Sequence, residues 1–107
     1  MIDIDEFKKV EMRIGQIKSA EAVAGSEKLL LLAVSFGEEE RQVISGIAKY
    51  VGDPAAIVGK KFAFATNLQP RSIMGLESQA MILAVGGEDS PFAILEAPDA
   101  APGARVK

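Results

Sequence analysis

The sequence contains no cysteine and no histidine. Without cysteine there can be no disulfide, so a small domain of this kind must hold together by its own packing or through a partner subunit. Without either residue the usual zinc ligands are gone, and so are the Ser-His-Asp and Cys-His arrangements that activate a nucleophile. No other nucleophile–base pair, metal-ligand set or cofactor motif is readable, so the expectation is a protein that is no enzyme and carries no metal or cofactor. Long apolar runs are missing too: the longest, Leu29 to Val34, is far too short to cross a bilayer. The opening Met1-Ile-Asp-Ile-Asp-Glu6 is acidic and has neither the basic nor the apolar region of a signal peptide, so a soluble cytoplasmic protein is expected.

What is present suits one small domain spanning residues 1–107, with apolar content for a single core. The net charge of −3 argues at first against a polyanionic partner, since phosphate binding draws on clustered lysine and arginine. The distribution matters more. Residues 1–40 hold five basic and nine acidic side chains, residues 41–76 hold five basic ones (Arg41, Lys49, Lys60, Lys61, Arg71) against Asp53 alone, and residues 77–107 hold two against five, giving segment charges of −4, +4 and −3. The positive field therefore gathers on the middle of the chain. The competing reading is ordinary solvated surface.

The pattern along the chain predicts mostly strands. Asp3 and Glu6 form a capping box, with Ile2 and Phe7 placed as a hydrophobic staple, so a short helix should start there and dock on another surface. From Glu11 to Val23 apolar residues alternate and change parity beside Gly15, which predicts a long strand bent by a β-bulge. Leu29 to Phe36 reads as a second strand, Gly37 to Glu40 as a solvated turn, and Arg41 to Gly46 as a third strand. Asp53-Pro54 is a helix start, N-cap then proline, with Gly59 to end it. Lys61 to Thr66 and Ala80 to Val85 are two further apolar strands, and Pro91 to Leu95 a last short one. The polar stretch Asn67 to Met81 between them should be an irregular connection, because Pro70 lacks a backbone donor and Gly75 tolerates positive φ. The tail from Glu96 to Gly103 should run extended over the surface.

Three strands, a short helix and two more strands is the order of an OB-fold, an all-β five-stranded Greek-key barrel that presents one face and its loops to oligonucleotides or other ligands. Here the barrel would carry a short N-terminal helix and a C-terminal extension. An SH3-like barrel is the alternative, disfavoured by the helix between strands three and four.

Phe-Lys-Lys-Val-Glu-Met-Arg-Ile from Phe7 to Ile14, Lys28-Leu29-Leu30, Ser45-Gly46-Ile47, Asn67-Leu-Gln-Pro-Arg71, Gly75-Leu-Glu-Ser78 and Met81-Ile82-Leu83 resemble, in order and spacing, the tRNA-binding domain family. That family includes the C-terminal domain of methionyl-tRNA synthetases, stand-alone tRNA-binding proteins and export chaperone-like proteins. The resemblance covers nearly the whole chain. It implies an OB-fold, usually a homodimer, that recognises tRNA by shape, as a non-catalytic module serving a methionyl-tRNA synthetase in cis or in trans and raising its affinity for tRNA. The alternative is a chaperone-like protein binding peptides on the same barrel. The family pattern often has lysine where Gln69 stands, so one phosphate contact is missing here, and glycine where Ala80 stands, so a different backbone geometry near Met81 is expected.

On that reading Arg71, Lys49, Lys60 and Lys61 supply charge toward phosphates. Asn67 and Ser78 can hydrogen-bond a 2′-hydroxyl or a phosphate, which would favour RNA over DNA. Gln69 and Ser45 belong to the same candidate face, and Asn67 equally suits a turn ahead of Pro70. Periodicity alone places Met81 in the core, whereas its likeness to a Ser-x-x-Met motif places it at the surface against a base or ribose. The six aromatics mostly alternate into the core, which disfavours base stacking as the mode of binding.

Overall fold

The computed structural model describes Met1–Lys107. Its elements are α1 (Ile4–Phe7), β1 (Met12–Ala22), β2 (Leu30–Ser35), β3 (Glu40–Ser45), α2 (Ala48–Val51), a 3-10 turn (Pro54–Ile57), β4 (Lys61–Ala65), β5 (Arg71–Ile73), β6 (Leu76–Ser78), β7 (Met81–Ile82), β8 (Ala84–Gly87) and β9 (Ser90–Ile94). The main sheet has the order β3-β2-β1-β4-β7 and is antiparallel at every pairing, with β5–β6 and β8–β9 as separate hairpins. This is the expected OB-like arrangement. No helix is long and apolar enough to cross a membrane.

Alternation along β2 fixes which of its sides faces inward. On β2, Leu30, Leu32 and Val34 are buried while Leu31, Ala33 and Ser35 are only half so. They join Ile17, Phe62, Phe64 and Ile82 in one cluster, where Phe36 meets Phe64 edge to face at 5.3 Å, the favoured geometry for two aromatic rings. β1 serves both halves of the curled sheet: Met12 to Gln16 pair with β4 and Gln16 to Ala22 pair with β2. The register shift lies between Ile17 and Ser19, not beside Gly15. Gly15 has a different task. A Cβ there would stand 2.5 Å from the Val34 side chain and 2.8 Å from the Phe36 ring, so the glycine lets two core side chains approach the strand.

The sheet closes without a full ladder. Between β3 and the β6–β7 connection, the Gln79 N–H donates to the Gln42 carbonyl at 2.8 Å. Side chains replace the remaining ladder bonds: Gln79 Oε1 accepts from the Gln42 N–H, and Ser78 Oγ accepts from the Ile44 N–H at 3.0 Å. These groups satisfy the edge of β3, which would otherwise be left with unpaired donors.

Several local expectations are corrected. Residues 67–81 are not irregular throughout, because β5 and β6 form a hairpin in register Ile73↔Leu76. Its two-residue turn has positive φ at both Met74 (51°) and Gly75 (79°), the geometry of a type I′ turn. Methionine is unusual there, so the sequence carries little hairpin signal. The strand expected over Ala80 to Val85 divides into β7 and β8, and α2 precedes the Asp53-capped 3-10 turn, in which Asp53 Oδ1 accepts from the Ala55 N–H. The tail does run over the surface, and it is hydrogen-bonded there. Ala63 N–H donates to the Leu95 carbonyl and Ala97 N–H to that of Lys61, and Gly103 and Val106 donate to Ile14 and Met12, so the tail extends the sheet along β4 and β1.

Candidate nucleic-acid interface

A shallow depression of about 50 Å³ lies between the end of β3, the Leu68–Arg71 segment, the β5–β6 hairpin and the start of β7. Of the seven residues singled out from the sequence, five line it: Ser45, Gln69, Arg71, Ser78 and Met81. Leu68, Ile73 and Ile44 join them in its wall, with the core residues Ala80 and Ile82 beneath. Sequence reasoning passed over the first three, although Leu68 and Ile73 are apolar residues inside an otherwise polar connection. The volume leaves room for a few water molecules, each of which needs about 10–15 Å³ of such space. A nucleobase cannot be swallowed here. The site can grip only what projects from a surface: a phosphate oxygen, a ribose edge or a backbone turn.

The lining residues play different parts. Arg71 is exposed and stands outside the three ion pairs of the chain, so its guanidinium faces solvent. Met81 is 45% exposed, which decides its placement in favour of the surface. Its neighbour Ile82 enters the core instead, as alternation on β7 requires. Ser78 is buried and its hydroxyl lies 3.1 Å from the Ala80 carbonyl while accepting from Ile44. It shapes the floor of the depression. Ala80, which stands where glycine is common in the resembled pattern, is buried within the core cluster, so its methyl group is accommodated.

Asn67 and Lys49 lie outside the depression. Asn67 donates from Nδ2 to the Lys9 carbonyl at 2.6 Å and accepts at Oδ1 from the Glu11 N–H at 2.8 Å. It therefore fastens the segment after α1 to the end of β4. Lys49 is exposed on α2. The positive middle segment is also less available than its charge count implies. Lys61 Nζ donates to the Ala100 carbonyl at 2.9 Å and to that of Pro98, and Arg41 is engaged by Glu39 and by two backbone carbonyls. Lys49, Lys60 and Arg71 remain exposed.

The turn expected to be merely solvated holds a charge cluster. Glu39 Oε1 receives Arg13 Nη2 at 2.6 Å and Arg41 Nη2 at 3.1 Å, and these two guanidiniums hold its carboxyl below the ordinary glutamate value. Glu11 accepts the Thr66 hydroxyl at 2.7 Å, which with Arg13, Arg105 and Arg41 lowers its pKa despite partial burial. At the same N-terminal end of β1, Ile4, Phe7, Val10, Met12 and Val106 line an open apolar groove of about 480 Å³ rimmed by Lys8, Arg105 and Lys107.

Residues 12–105 match the family described as "Putative tRNA binding domain". The chain is 53% identical over 89 residues to the methionine–tRNA ligase of Methanospirillum hungatei JF-1, a stretch that covers 83% of this chain and 13% of the ligase. The chain thus spans only a small part of that enzyme. Among solved structures it is similar to a MetRS-related protein from Pyrococcus horikoshii, with a TM-score of 0.92, 41% identity and coverage of 100% and 98% of the two chains. The chaperone CsaA of Bacillus anthracis str. Ames has the same fold at a TM-score of 0.88 and 22% identity, covering 100% of this chain and 99% of its own.

Proposed function

The chain belongs to the tRNA-binding domain family, and from that premise we propose that it is a non-catalytic module that binds folded tRNA at the depression between β3 and the Leu68–Met81 segment, serving a methionyl-tRNA synthetase in cis or in trans by raising its affinity for tRNA. The observation that carries this reading is Arg71: an exposed cation on the lip of a site whose other lining groups, Gln69, Ser45 and Met81, offer an amide, a hydroxyl and a thioether. Arg71 meets phosphate, Gln69 and Ser45 meet sugar or phosphate oxygens, and Met81 packs against a ribose or base edge. A depression too small for a base favours reading the outer shape of a folded RNA. Peptide binding rests on the shared fold with CsaA alone, and a fold does not carry a function with it.

With Arg71 as the one cation lining the depression, a single copy makes a weak site, so two copies acting on one rigid RNA gain through effective concentration. The apolar groove beside α1 supports a homodimer as the second part of this reading. Ile4 is 62%, Phe7 43% and Val10 40% exposed, although α1 is a single turn that needs a docking surface. A second copy would cover them.

The test is titration of labelled, folded tRNA at low and moderate salt, with unfolded RNA and duplex DNA as competitors. Salt-dependent binding that folded tRNA alone displaces, weakened by Arg71→Ala, is the expected result. No binding at low salt overturns the tRNA reading.

A further inference from the structure

One guanidinium holds both ends of the segment that forms the depression. Arg41, the second residue of β3, donates from Nη1 to the carbonyls of Thr66 and Gln79, the latter at 3.3 Å. Thr66 follows the last residue of β4 and Gln79 precedes β7, so the two carbonyls bracket residues 67–78, which include Gln69 and Arg71. Nη2 of Arg41 is seated 3.1 Å from Glu39 Oε1. Arg13 holds that same oxygen at 2.6 Å, and the Phe36 ring lies against both guanidiniums, with its centroid 5.1 Å from that of Arg13 and 5.7 Å from that of Arg41. Arg13 in turn contacts Glu11 at 2.9 Å, the acceptor of the Thr66 hydroxyl. Arg41 is thus fixed by a carboxylate, a ring and two carbonyls, with its side chain only 22% exposed.

Resting on the tRNA reading of the depression, we infer that Arg41 is a positioning residue for that site. It fixes the spacing of Thr66 and Gln79, and with it where Gln69, Arg71 and Met81 stand before RNA arrives. A segment ordered in advance loses less conformational freedom on binding, which is the source of the affinity. The role depends on the shape of the guanidinium. Lysine keeps the charge but offers a single compact ammonium, which cannot span two carbonyls and a carboxylate in the fork that Arg41 uses. A direct phosphate contact would tolerate lysine, because that term depends on charge.

The experiment compares wild type, Arg41→Lys, Arg71→Ala and the double variant in tRNA titrations at several salt concentrations, below the thermal midpoints of all four. Arg41→Lys is expected to weaken binding by about tenfold and to lower the salt slope as well, because the displaced segment loses the Arg71–phosphate contact. Arg71→Ala should lower the slope by about one. The double variant should lose less than the product of the two, since a displaced segment has already forfeited the Arg71 contact. Without RNA, amide exchange at Gln79 should accelerate in Arg41→Lys. Glu39→Gln, which leaves Arg41 and its charge in place but weakens its seat, should shift both readouts the same way by less, and serves if Arg41→Lys does not fold. Wild-type affinity in Arg41→Lys, losses that multiply with those of Arg71→Ala, or unaltered Gln79 exchange would each overturn the positioning role. Failure of wild type to bind tRNA, with Gln79 exchange altered in Arg41→Lys, would instead strike the tRNA reading beneath it.

Discussion

Asn67 separates a residue that touches RNA from one that builds the surface RNA would touch. Its amide makes two hydrogen bonds to the chain between α1 and β1, at 2.6 Å and 2.8 Å. Asn67→Ala removes both. Each such bond is worth about 0.5–1.5 kcal/mol net, and at this exposed site the pair should contribute about 1–2 kcal/mol, a fall in thermal midpoint of roughly 5–10 °C for a domain of this size. The released segment carries Phe7 and Val10, so self-association should weaken as well. Asn67→Asp should be no better than alanine, since it keeps the acceptor for Glu11 but sets an oxygen against the Lys9 carbonyl. The assay is thermal unfolding together with amide exchange at Glu11, followed by tRNA titration. Exchange at Glu11 should rise and stability fall, with any loss of tRNA affinity accompanying the loss of self-association. A variant with an unchanged midpoint and unchanged Glu11 exchange that nonetheless binds tRNA much more weakly would refute the clamp and restore Asn67 as a ligand contact.

Gly15→Ala should overpack the core against Val34 and Phe36 at about 1–3 kcal/mol, visible as a lower urea midpoint, and Phe36→Leu in the same chain should recover part of the loss. Glu11 and Glu39 both have folded-state pKa values below their ordinary 4.5, so their contribution is present above that value and is lost as pH falls through the folded values. Thermal midpoints of wild type and Glu39→Gln should therefore converge in acid, and a gap at about pH 2.5 equal to that at neutrality would remove the ion pairs as its source. On the proposal of a homodimer, Phe7→Glu places a charge in the apolar groove beside α1, so light scattering at micromolar concentration should give a dimer for wild type and a monomer for the variant.

The strand order was legible because it rests on periodicity. Leu30, Leu32 and Val34 alternate inward on β2 and Phe62 and Phe64 enter the core from β4, while the Asp3 and Asp53 caps mark α1 and the 3-10 turn and are found as expected; α2 has no capping side chain and was not legible. Where the reading of residues 67–81 failed, a backbone choice decided: Met74 adopts a left-handed conformation that its side chain does not advertise. The bulge was misplaced for a tertiary reason, since Gly15 marks a close approach of side chains from β2 and its neighbour Phe36.

The sequence by itself determined the all-β class, the order of the strands, the absence of thiol and imidazole chemistry, and the family, since all of these follow from residue type and spacing along the chain. Only the tertiary structure decided which polar groups are free. Arg41, Lys61, Asn67 and Ser78 look as available in the sequence as Arg71 does, yet each is committed to a carbonyl, amide or carboxylate supplied by a segment distant along the chain. A hydrogen-bonding side chain is equally suited to a ligand or to a neighbour, and which one it meets depends on contacts that exist only once the sheet has closed.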